Sequence, residues 1–409
     1  MAETRLLDRV GRRMMDALLV IGGLMLAWTM ASGGLAGALS DARPDLAIEI
    51  APRFADARLA LATKALLAAR ADQAAALARN AIGRDPMNAP ALSTLALALE
   101  KQGRGDLAET AMTASAAMSW RNGAAQAWLV KRRLEEGRTG EAFEQADALL
   151  HNADDERVTA SMFALFDAAA RFETPRRALV ARLATSPAWR PAFLAQLPVG
   201  SADGASAYAV FAALRAGPTP PSAEEIASYV NRLTQGGALQ QAAAAWSSLS
   251  PLSSADQRWP HGGQFSQTPD GTAFTWSMPQ GEGAASGVEA APEAPGRAMR
   301  VEYDGYSLPD LPAQLLVLPT GRYRLDWRQM TEAGDGALLS WTIRCADDGR
   351  ILGRASGEPS GSGWSGASLA FAIPPAGCAA QWLQLTATPG ERRQTIVMWY
   401  QDFRGRAAA

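Results

Sequence analysis

The stretch APALSTLALALEKQGRGDLAETAMTASAAMSWRN, residues 89–122, is one unit of a pattern that repeats every 34 residues. The repetition runs through residues 52–120 and is visible at leucine, alanine, glycine and proline positions. Residues that stand 34 apart are Leu61, Leu95 and Leu129; Ala69, Gly103 and Gly137; Arg70, Arg104 and Arg138; Ala74, Ala108 and Ala142; and Pro52 and Pro86. A period of this length is typical of stacked helix-turn-helix repeats, so we expect an α-solenoid here.

Each aligned position has a physical role in such a repeat. The leucine belongs to the first helix, and the Ala/Gly-Arg pair occupies the tight turn between the two helices. The alanine that follows lies in the second helix, where a larger side chain would hold the paired helices apart. The proline ends the second helix before the next repeat begins.

This pattern resembles the tetratricopeptide repeat (TPR) family. In the best repeat, the small and large positions of that family fall on Leu92, Leu95, Ala96, Leu99, Gly103, Ala108 and Met112. The resemblance covers residues 41–154. It departs from the family where the first helix usually has an aromatic residue, since Arg58, Leu92 and Gln126 stand there. The resemblance implies protein binding or scaffolding through a groove, and it identifies no ligand.

Composition limits the classes of function. The 409 residues predict more than one domain, and a net charge of −2 argues against a general nucleic-acid binder. No nucleophile elbow, phosphate-binding loop or metal-ligand spacing of cysteine and histidine occurs, so we predict no enzyme, no cofactor and no metal site. A hydrolase with a hidden site is an alternative, and it would need His151 or His261 beside an acid and a nucleophile in a cleft.

The N-terminus predicts a membrane anchor. Residues 1–16 are basic overall, and residues 17–40 contain no charged side chain. A span of about 20 apolar residues crosses a bilayer, and the preceding arginines place the N-terminus in the cytoplasm. The main interpretation is an uncleaved signal anchor that leaves the rest of the chain outside the cytoplasm, at an inner membrane. The alternative is a cleaved signal peptide, with Ala38 and Ser40 before the cut.

After residue 154 the period fades while the helical pattern persists. Pro175 opens a helix, and Ser222 with Glu225 forms a capping box for another. We interpret residues 155–250 as degenerate helix pairs and residues 251–256 as a linker.

Residues 257–405 have the composition of a β-sandwich of jelly-roll type. Alternating apolar and polar residues predict strands at residues 274–278, 299–303, 314–318, 323–330, 338–345, 368–373, 381–387 and 395–403. Residues 280–296 are poor in large apolar side chains and are predicted to form a flexible loop. The residues expected in the core are Trp276, Trp327, Trp341 and Trp399. A disulfide between Cys345 and Cys378 is expected outside the cytoplasm, and two buried free thiols are the alternative.

The C-terminal part is similar in architecture to carbohydrate-binding modules. The similarity is carried by LPTGRYRLDW at residues 318–327, GCAAQWLQL at residues 377–385 and the richness in tryptophan. It implies sugar binding through an exposed aromatic ring, with polar side chains on the hydroxyl groups. The candidate platforms are Trp364, Trp382 and Tyr306, and the candidate polar partners are Arg324, Arg328 and Gln384.

Together these features predict a multidomain α + β protein: an N-terminal transmembrane helix, an α-solenoid and a C-terminal β-sandwich. Its expected function is that of a non-enzymatic periplasmic scaffold whose repeats bind a protein partner and whose sandwich binds a polysaccharide. The combination resembles accessory proteins of exopolysaccharide assembly or export. The leading alternative is a pure protein-interaction scaffold in which the sandwich is a structural cap.

Overall fold

A computed structural model of the chain describes residues 28, 30–40, 42–52, 54–151, 155–197, 204–250, 258–357 and 363–408. The chain divides into two compact units, Met1–Phe166 and Asp167–Ala409. Among the described residues, the first unit is helical, and the second combines further helices with a β-sandwich. The helix that spans Glu156–Ala170 crosses the boundary between the two units.

The repeat helices begin where the 34-residue period places them, at Ala55, Ala89 and Gly123. The predicted helix pairs are therefore confirmed. Ala74, Ala108 and Ala142 have no exposed surface, as expected where two helices approach closely. The helices are α1 (Pro44–Ile50), α2 (Ala55–Leu67), α3 (Ala71–Ile82), α4 (Ala89–Lys101), α5 (Gly105–Met118), α6 (Gly123–Glu135), α7 (Thr139–His151) and α8 (Glu156–Ala170).

In the turn between the two helices of each repeat, one residue has a left-handed backbone conformation. Ala69, Gly103 and Gly137 have φ angles of +59°, +76° and +72°. The amide of the next residue then donates to a carbonyl five residues back, as Arg70 N does to Ala65 O at 2.8 Å. Glycine adopts this conformation freely, whereas alanine is strained because its Cβ approaches a carbonyl oxygen.

Replacing Ala69 by glycine is therefore expected to stabilise the first repeat by about 0.5–1 kcal/mol, which is the relief of strain less the added entropy of the unfolded chain. The matched change Gly103→Ala is expected to destabilise by about 1 kcal/mol. A Cβ at Gly103 would meet no atom within 4 Å, so this cost is conformational. Urea denaturation of both variants measures the difference, and a destabilised Ala69→Gly protein would contradict the strain argument.

Near the N-terminus, residues 30–39 are helical. Ala36 is fully buried in a small apolar cluster with Ala47 of α1 and Ala57 of α2. No helix among the described residues has the length and apolar character needed to cross a membrane. The predicted basic segment 1–16 and residues 17–27 of the predicted anchor lie outside the described residues.

The helices of the second unit continue the spacing of the repeats: Glu173 starts a helix 34 residues after Thr139, and Arg190 starts one 34 residues after Glu156. The predicted capping box is confirmed, because the side chain of Ser222 accepts from Glu225 N and the side chain of Glu225 accepts from Ser222 N. The predicted helix start at Pro175 is confirmed within two residues. These helices are α9 (Glu173–Leu183), α10 (Arg190–Gln196), α11 (Gly204–Arg215), α12 (Ala223–Gln235) and α13 (Leu239–Leu249).

Two antiparallel sheets form the predicted sandwich. The six-stranded sheet has the order β1-β2-β3-β10-β5-β8, and the four-stranded sheet has the order β4-β9-β6-β7. From β3 onward this is the strand order of a jelly roll. The strands are β1 (Gln280–Gly281), β2 (Ala284–Ala290), β3 (Arg297–Tyr303), β4 (Ala313–Leu316), β5 (Gly321–Ala333), β6 (Leu339–Cys345), β7 (Ile351–Ser356), β8 (Ser365–Ile373), β9 (Gln381–Ala387) and β10 (Ile396–Ala407).

Two local predictions in the sandwich were wrong, and one strand was not predicted. Residues 274–278 are not a strand and contribute one isolated bridge, between Ser277 and Ala313. Phe274 and Trp276 are buried. Their apolar side chains therefore fill the core, although the segment does not pair as a β-strand. The predicted loop at 280–296 contains β1 and β2, because β2 pairs along its full length with β3 without large side chains. The edge strand β7 was also missed.

Large aromatic side chains fill the space between the sheets. The ring centroids of Trp341 and Phe403 lie 5.1 Å apart, as do those of Trp276 and Phe403. The four tryptophans expected in the core are all buried, although Trp399 belongs to a separate cluster with Met330. The predicted disulfide between Cys345 and Cys378 is present and joins the end of β6 to the segment before β9.

Candidate functional site

The outer face of the four-stranded sheet carries a regular pattern of polar side chains. In β9 the leucines Leu383 and Leu385 point into the core, so alternation turns Trp382 and Gln384 outward. The register places Arg344 of β6 opposite Trp382. We call this surface the polar face; its members are Ser340, Thr342, Arg344, Arg354, Trp382, Gln384 and Thr386.

Hydroxyl groups on the polar face are oriented by one another. Thr342 Oγ1 and Thr386 Oγ1 lie 3.1 Å apart, and Thr386 Oγ1 donates to the carbonyl of Ser340 at 3.0 Å. Arg354 Nε donates to Thr342 Oγ1 at 3.4 Å. The middle of the face is thus a row of ordered donors and acceptors, while Trp382 provides its only aromatic ring.

A cleft of about 610 Å³ opens at the tryptophan end of the polar face. One wall consists of Arg344, Trp382 and Gln384, which come from two adjacent strands. The lining also includes Asp310 of the β3–β4 loop and Met278, which follows the isolated bridge. A cleft that combines one aromatic ring with several polar groups is the usual form of a small-molecule or sugar site.

Two nitrogen atoms of the cleft residues have no hydrogen-bond partner among the described residues. They are Nε of Arg344 and Nε1 of Trp276, and both are buried from solvent. The ion pairs of the described sandwich residues do not include Arg344. A buried donor without an acceptor costs about 1–3 kcal/mol. Because both atoms are closed to solvent, a ligand in the cleft would contact the terminal nitrogens of Arg344 instead.

Of the six predicted site residues, Trp382 and Gln384 line the cleft together, while Trp364 and Arg328 contact each other elsewhere on the sandwich. Trp364, Arg328 and Arg324 belong to the six-stranded sheet or the segment leading into it. The Arg328 guanidinium lies 5.3 Å from the Trp364 ring centroid, and Trp364 Nε1 donates to Pro292 O at 2.7 Å. Trp364 is therefore partly buried and tied to the β2–β3 loop, and Arg324 is paired with Asp326 at 2.6 Å.

Tyr306 lies in the β3–β4 loop, outside the cleft lining, with 52% of its surface exposed. The turn that presents it is held by Asp304 Oδ1, which accepts from Ser307 N at 2.9 Å and from Tyr306 N at 3.0 Å. These backbone hydrogen bonds lower the pKa of the Asp304 carboxyl. Arg393 covers the tyrosine ring at 5.9 Å, so Tyr306 is an accessible but not an isolated aromatic.

Several residues of the site were missed from the sequence, notably Arg344, Thr342, Arg354 and Asp310. A signal for the first two was present. Leu339, Trp341 and Ile343 share the inner face of β6, so Thr342 and Arg344 had to lie on the other face. Asp310 carries no such signal, because it lies in a loop whose position depends on the tertiary fold.

In the first unit, a groove of about 350 Å³ is lined by residues of α1, α2 and α3, including Leu61, Lys64 and Leu77. Leu67 is the last residue of α2 and exposes 83% of its surface. Its neighbours in sequence, Ala65 and Ala68, line the groove. No group of histidine, cysteine and acidic residues among the described positions is arranged to hold a metal ion.

No protein-family model and no curated protein matches the chain. Solved structures resemble parts of it. TmCBM61 in complex with β-1,4-galactotriose is 16% identical over 36% of this chain and 92% of the other, with a TM-score of 0.24. The C-terminal family 22 carbohydrate-binding module of Clostridium thermocellum Xyn10B is 13% identical over 38% of this chain and 98% of its own, with a TM-score of 0.27.

PilF of Pseudomonas aeruginosa is 18% identical over 49% of this chain and 93% of its own, with a TM-score of 0.26. Similarities of this size carry no functional argument, so function has to be inferred from the side chains of the polar face and the cleft.

Proposed function

We propose that the protein is a non-enzymatic scaffold whose helical repeats bind a protein partner and whose sandwich binds a glycan. The observation that carries the glycan part is the cleft beside Trp382. There, one indole ring lies among an amide, a guanidinium and a row of ordered hydroxyl groups. Carbohydrates present apolar C–H faces and polar edges, and an aromatic ring flanked by hydrogen-bonding side chains is complementary to both.

The roles of the residues follow from their positions. Trp382 is half-buried on the sheet, so one pyranose ring can lie on its open face. Gln384 is two residues further along β9 and can both donate to and accept from sugar hydroxyls. Asp310 is exposed on the β3–β4 loop and supplies acceptors to the lining of the cleft.

The protein-binding role is assigned to the repeats because their helix pairs stack into an extended surface with a groove. Leu61 and Leu77 line this groove together with Lys64 and Asp45, which gives it an apolar floor with charged edges. Such a surface suits a peptide or helix of a partner better than a small molecule.

We further propose that the chain is anchored in an inner membrane, with its bulk in the periplasm, and acts in exopolysaccharide or cell-envelope assembly or export. The support is the uncharged segment 17–40 after a basic stretch. In its described part, Trp28, Met30 and Leu35 expose 70%, 68% and 52% of their surfaces. The disulfide suits an oxidising compartment outside the cytoplasm. Anchoring would raise the effective concentration of the scaffold near the membrane.

The proposal includes no catalytic step. Both histidines have structural positions: His151 ends α7, while His261 packs edge-on against Trp246 with ring centroids 4.4 Å apart. His261 also donates its backbone amide to Gln314 Oε1 at 2.8 Å. A hydrolase would need one of these histidines beside an acid and a nucleophile, and neither is described in such a cluster.

Replacing Trp382 by alanine is expected to weaken glycan binding about tenfold or more, since the variant loses the stacking surface. The measurement is affinity electrophoresis of the full chain through gels that contain bacterial and plant polysaccharides. Trp364→Ala is the matched control, because its indole is already engaged by Arg328 and Pro292. If the folded chain binds no polysaccharide, the sandwich is a structural cap and the protein is a protein-interaction scaffold.

A further inference from the structure

The positive charge of Arg344 in the cleft bears on whether a neutral or an acidic glycan would bind there. Arg344 projects from the end of β6 directly opposite Trp382 in the register, so their Cα atoms lie roughly 4.5–5.5 Å apart. Its side chain is half-buried, its Nε is fully buried, and this Nε has no acceptor among the described residues. Such a guanidinium is unusual, because a partly desolvated cation is normally paired with a carboxylate.

Nearby carboxylates do not neutralise this cation. Asp348 pairs with Arg350 at 3.7 Å, and Asp347 Oδ2 accepts from Ala379 N at 3.1 Å. Asp310 also lines the cleft, but it is exposed to solvent and forms no ion pair with Arg344. The buried edge of the guanidinium therefore lacks an anionic partner within the described part of the chain.

A second arginine continues the same surface. Arg354 of β7 is opposite Thr342, which is two residues before Arg344 on the neighbouring strand. Its Nε contacts Thr342 weakly, at 3.4 Å, and the side chain is exposed. Adjacent strands are roughly 4.8 Å apart, so the two arginines form a short positive track leading away from Trp382. A polymer with a repeating negative charge is complementary to such a track.

We propose that the cleft binds an acidic polysaccharide, with Arg344 holding the carboxylate of a uronic acid whose ring lies on or next to Trp382. This inference rests on the proposed glycan-binding function and narrows its ligand class. The two terminal nitrogens of the guanidinium are not among its buried atoms, and together they match the two oxygens of a carboxylate. A neutral sugar offers a single hydroxyl there and leaves the positive charge without a counter-charge.

The test compares polygalacturonate with the same polymer after its carboxyl groups have been reduced to alcohols, using the full chain. The wild-type protein is expected to bind the polyuronate about tenfold or more tightly than the reduced polymer, because a charge-assisted hydrogen bond is lost on reduction. This preference is expected to fall with increasing salt. In Arg344→Gln the preference for the polyuronate is expected to disappear.

Two further variants make the result specific. Arg344→Lys keeps the charge but lacks the planar pair of terminal nitrogens, so it is expected to retain only part of the preference. Arg324→Gln is the matched control, because Arg324 lies on the other sheet and is paired with Asp326. It should leave both affinities unchanged. Thermal unfolding of each variant shows that the fold is intact.

The outcomes separate the two levels of the proposal. Equal binding of both polymers, reduced alike by Trp382→Ala, would overturn the uronic acid inference and leave glycan binding in place. Binding of neither polymer nor any other glycan would remove the proposed function and this inference with it. A preference that persists in Arg344→Gln would show that another cation recognises the carboxylate.

Discussion

Replacing Arg190 by methionine is expected to lower the free energy of unfolding by about 3 kcal/mol, because it breaks a buried ion pair from one side. Arg190 begins α10 and has 5% of its surface exposed. Its Nε and Nη2 donate to the two carboxylate oxygens of Glu225 at 2.9 and 2.8 Å. The pair joins α10 to the start of α12, across a separation of 35 residues.

The arginine also supports the chain between these helices. Nη1 donates to Leu183 O at 3.1 Å, and Nη2 donates to Pro220 O at 3.2 Å. Methionine fills much of the same volume but satisfies none of these oxygens. Glu225 keeps its bond from Ser222 N in the capping box, so part of its charge stays compensated. For this reason the expected loss of unfolding free energy is at the lower end of the range for a buried ion pair that has lost one partner.

Urea denaturation followed by circular dichroism, together with hydrogen exchange of α10 and α12, measures the effect. Arg177→Met is the matched control: Arg177 pairs with Glu173 on the surface, where the side chains are 75% and 67% exposed. Its loss should cost about 0.5 kcal/mol or less. The double variant Arg190→Met, Glu225→Gln should recover part of the stability. Equal effects of Arg190→Met and Arg177→Met would contradict the buried-pair account.

The second large effect is expected at Asp270, which ties the sandwich to α13. Its Oδ2 accepts from Trp246 Nε1 at 2.8 Å. Its Oδ1 accepts from Thr272 N at 2.9 Å, Thr272 Oγ1 at 2.7 Å and Thr275 Oγ1 at 2.9 Å. An asparagine has one oxygen and one NH₂ group, so its NH₂ would face either Trp246 or the threonine donors and could not accept from them. Asp270→Asn is therefore expected to lower the free energy of unfolding by about 2 kcal/mol at neutral pH.

The same contacts make this contribution dependent on pH. Burial alone would raise the pKa of the Asp270 carboxyl, but the hydrogen bonds from Trp246, Thr272 and Thr275 outweigh burial and hold its pKa below the ordinary value. A depressed pKa in the folded state stabilises the fold above the ordinary aspartate pKa of about 3.9. This stabilisation is lost as the pH falls through the pKa of the folded protein.

Urea denaturation of wild type and Asp270→Asn at several pH values measures this dependence. The difference between the two proteins should be full at neutral pH and shrink below about pH 4. Asp348→Asn is the control, because Asp348 is half exposed and its contact with Arg350 is 3.7 Å. A difference that stayed constant down to strongly acidic pH would show that the carboxylate charge contributes nothing to the interface.

The repeats were predictable because their determinants are local. A 34-residue period, a left-handed turn position and a small residue at each helix contact specify a helix pair with little help from distant residues. The strands with large alternating side chains were predictable for the same reason, and β9 has the predicted limits. The strands β2 and β7 were not, since their pairing depends on backbone groups of neighbouring strands rather than on a strong pattern of their own.

The candidate site shows the same division. Alternation along β9 identified Trp382 and Gln384 as outward-facing residues. It could not show that Arg344 is opposite Trp382, because register between β6 and β9 joins residues 38 apart. Trp364 was chosen for its Gly/Ser-rich surroundings, yet the fold places Arg328 over its ring and Pro292 at its indole nitrogen. That it binds a glycan stays a prediction.

By itself, the sequence determined the helical repeats, the sandwich and its tryptophan core, since each depends on short-range periodicity. It also determined the pairing of the cysteines, because the chain has only two. The tertiary structure alone decided which polar residues share a surface and which are already engaged. The physical reason is that a cleft is made by strands and loops distant in sequence. That Arg344 lines this cleft without an ion-pair partner among the described residues becomes visible only once strands and loops distant in sequence are in place.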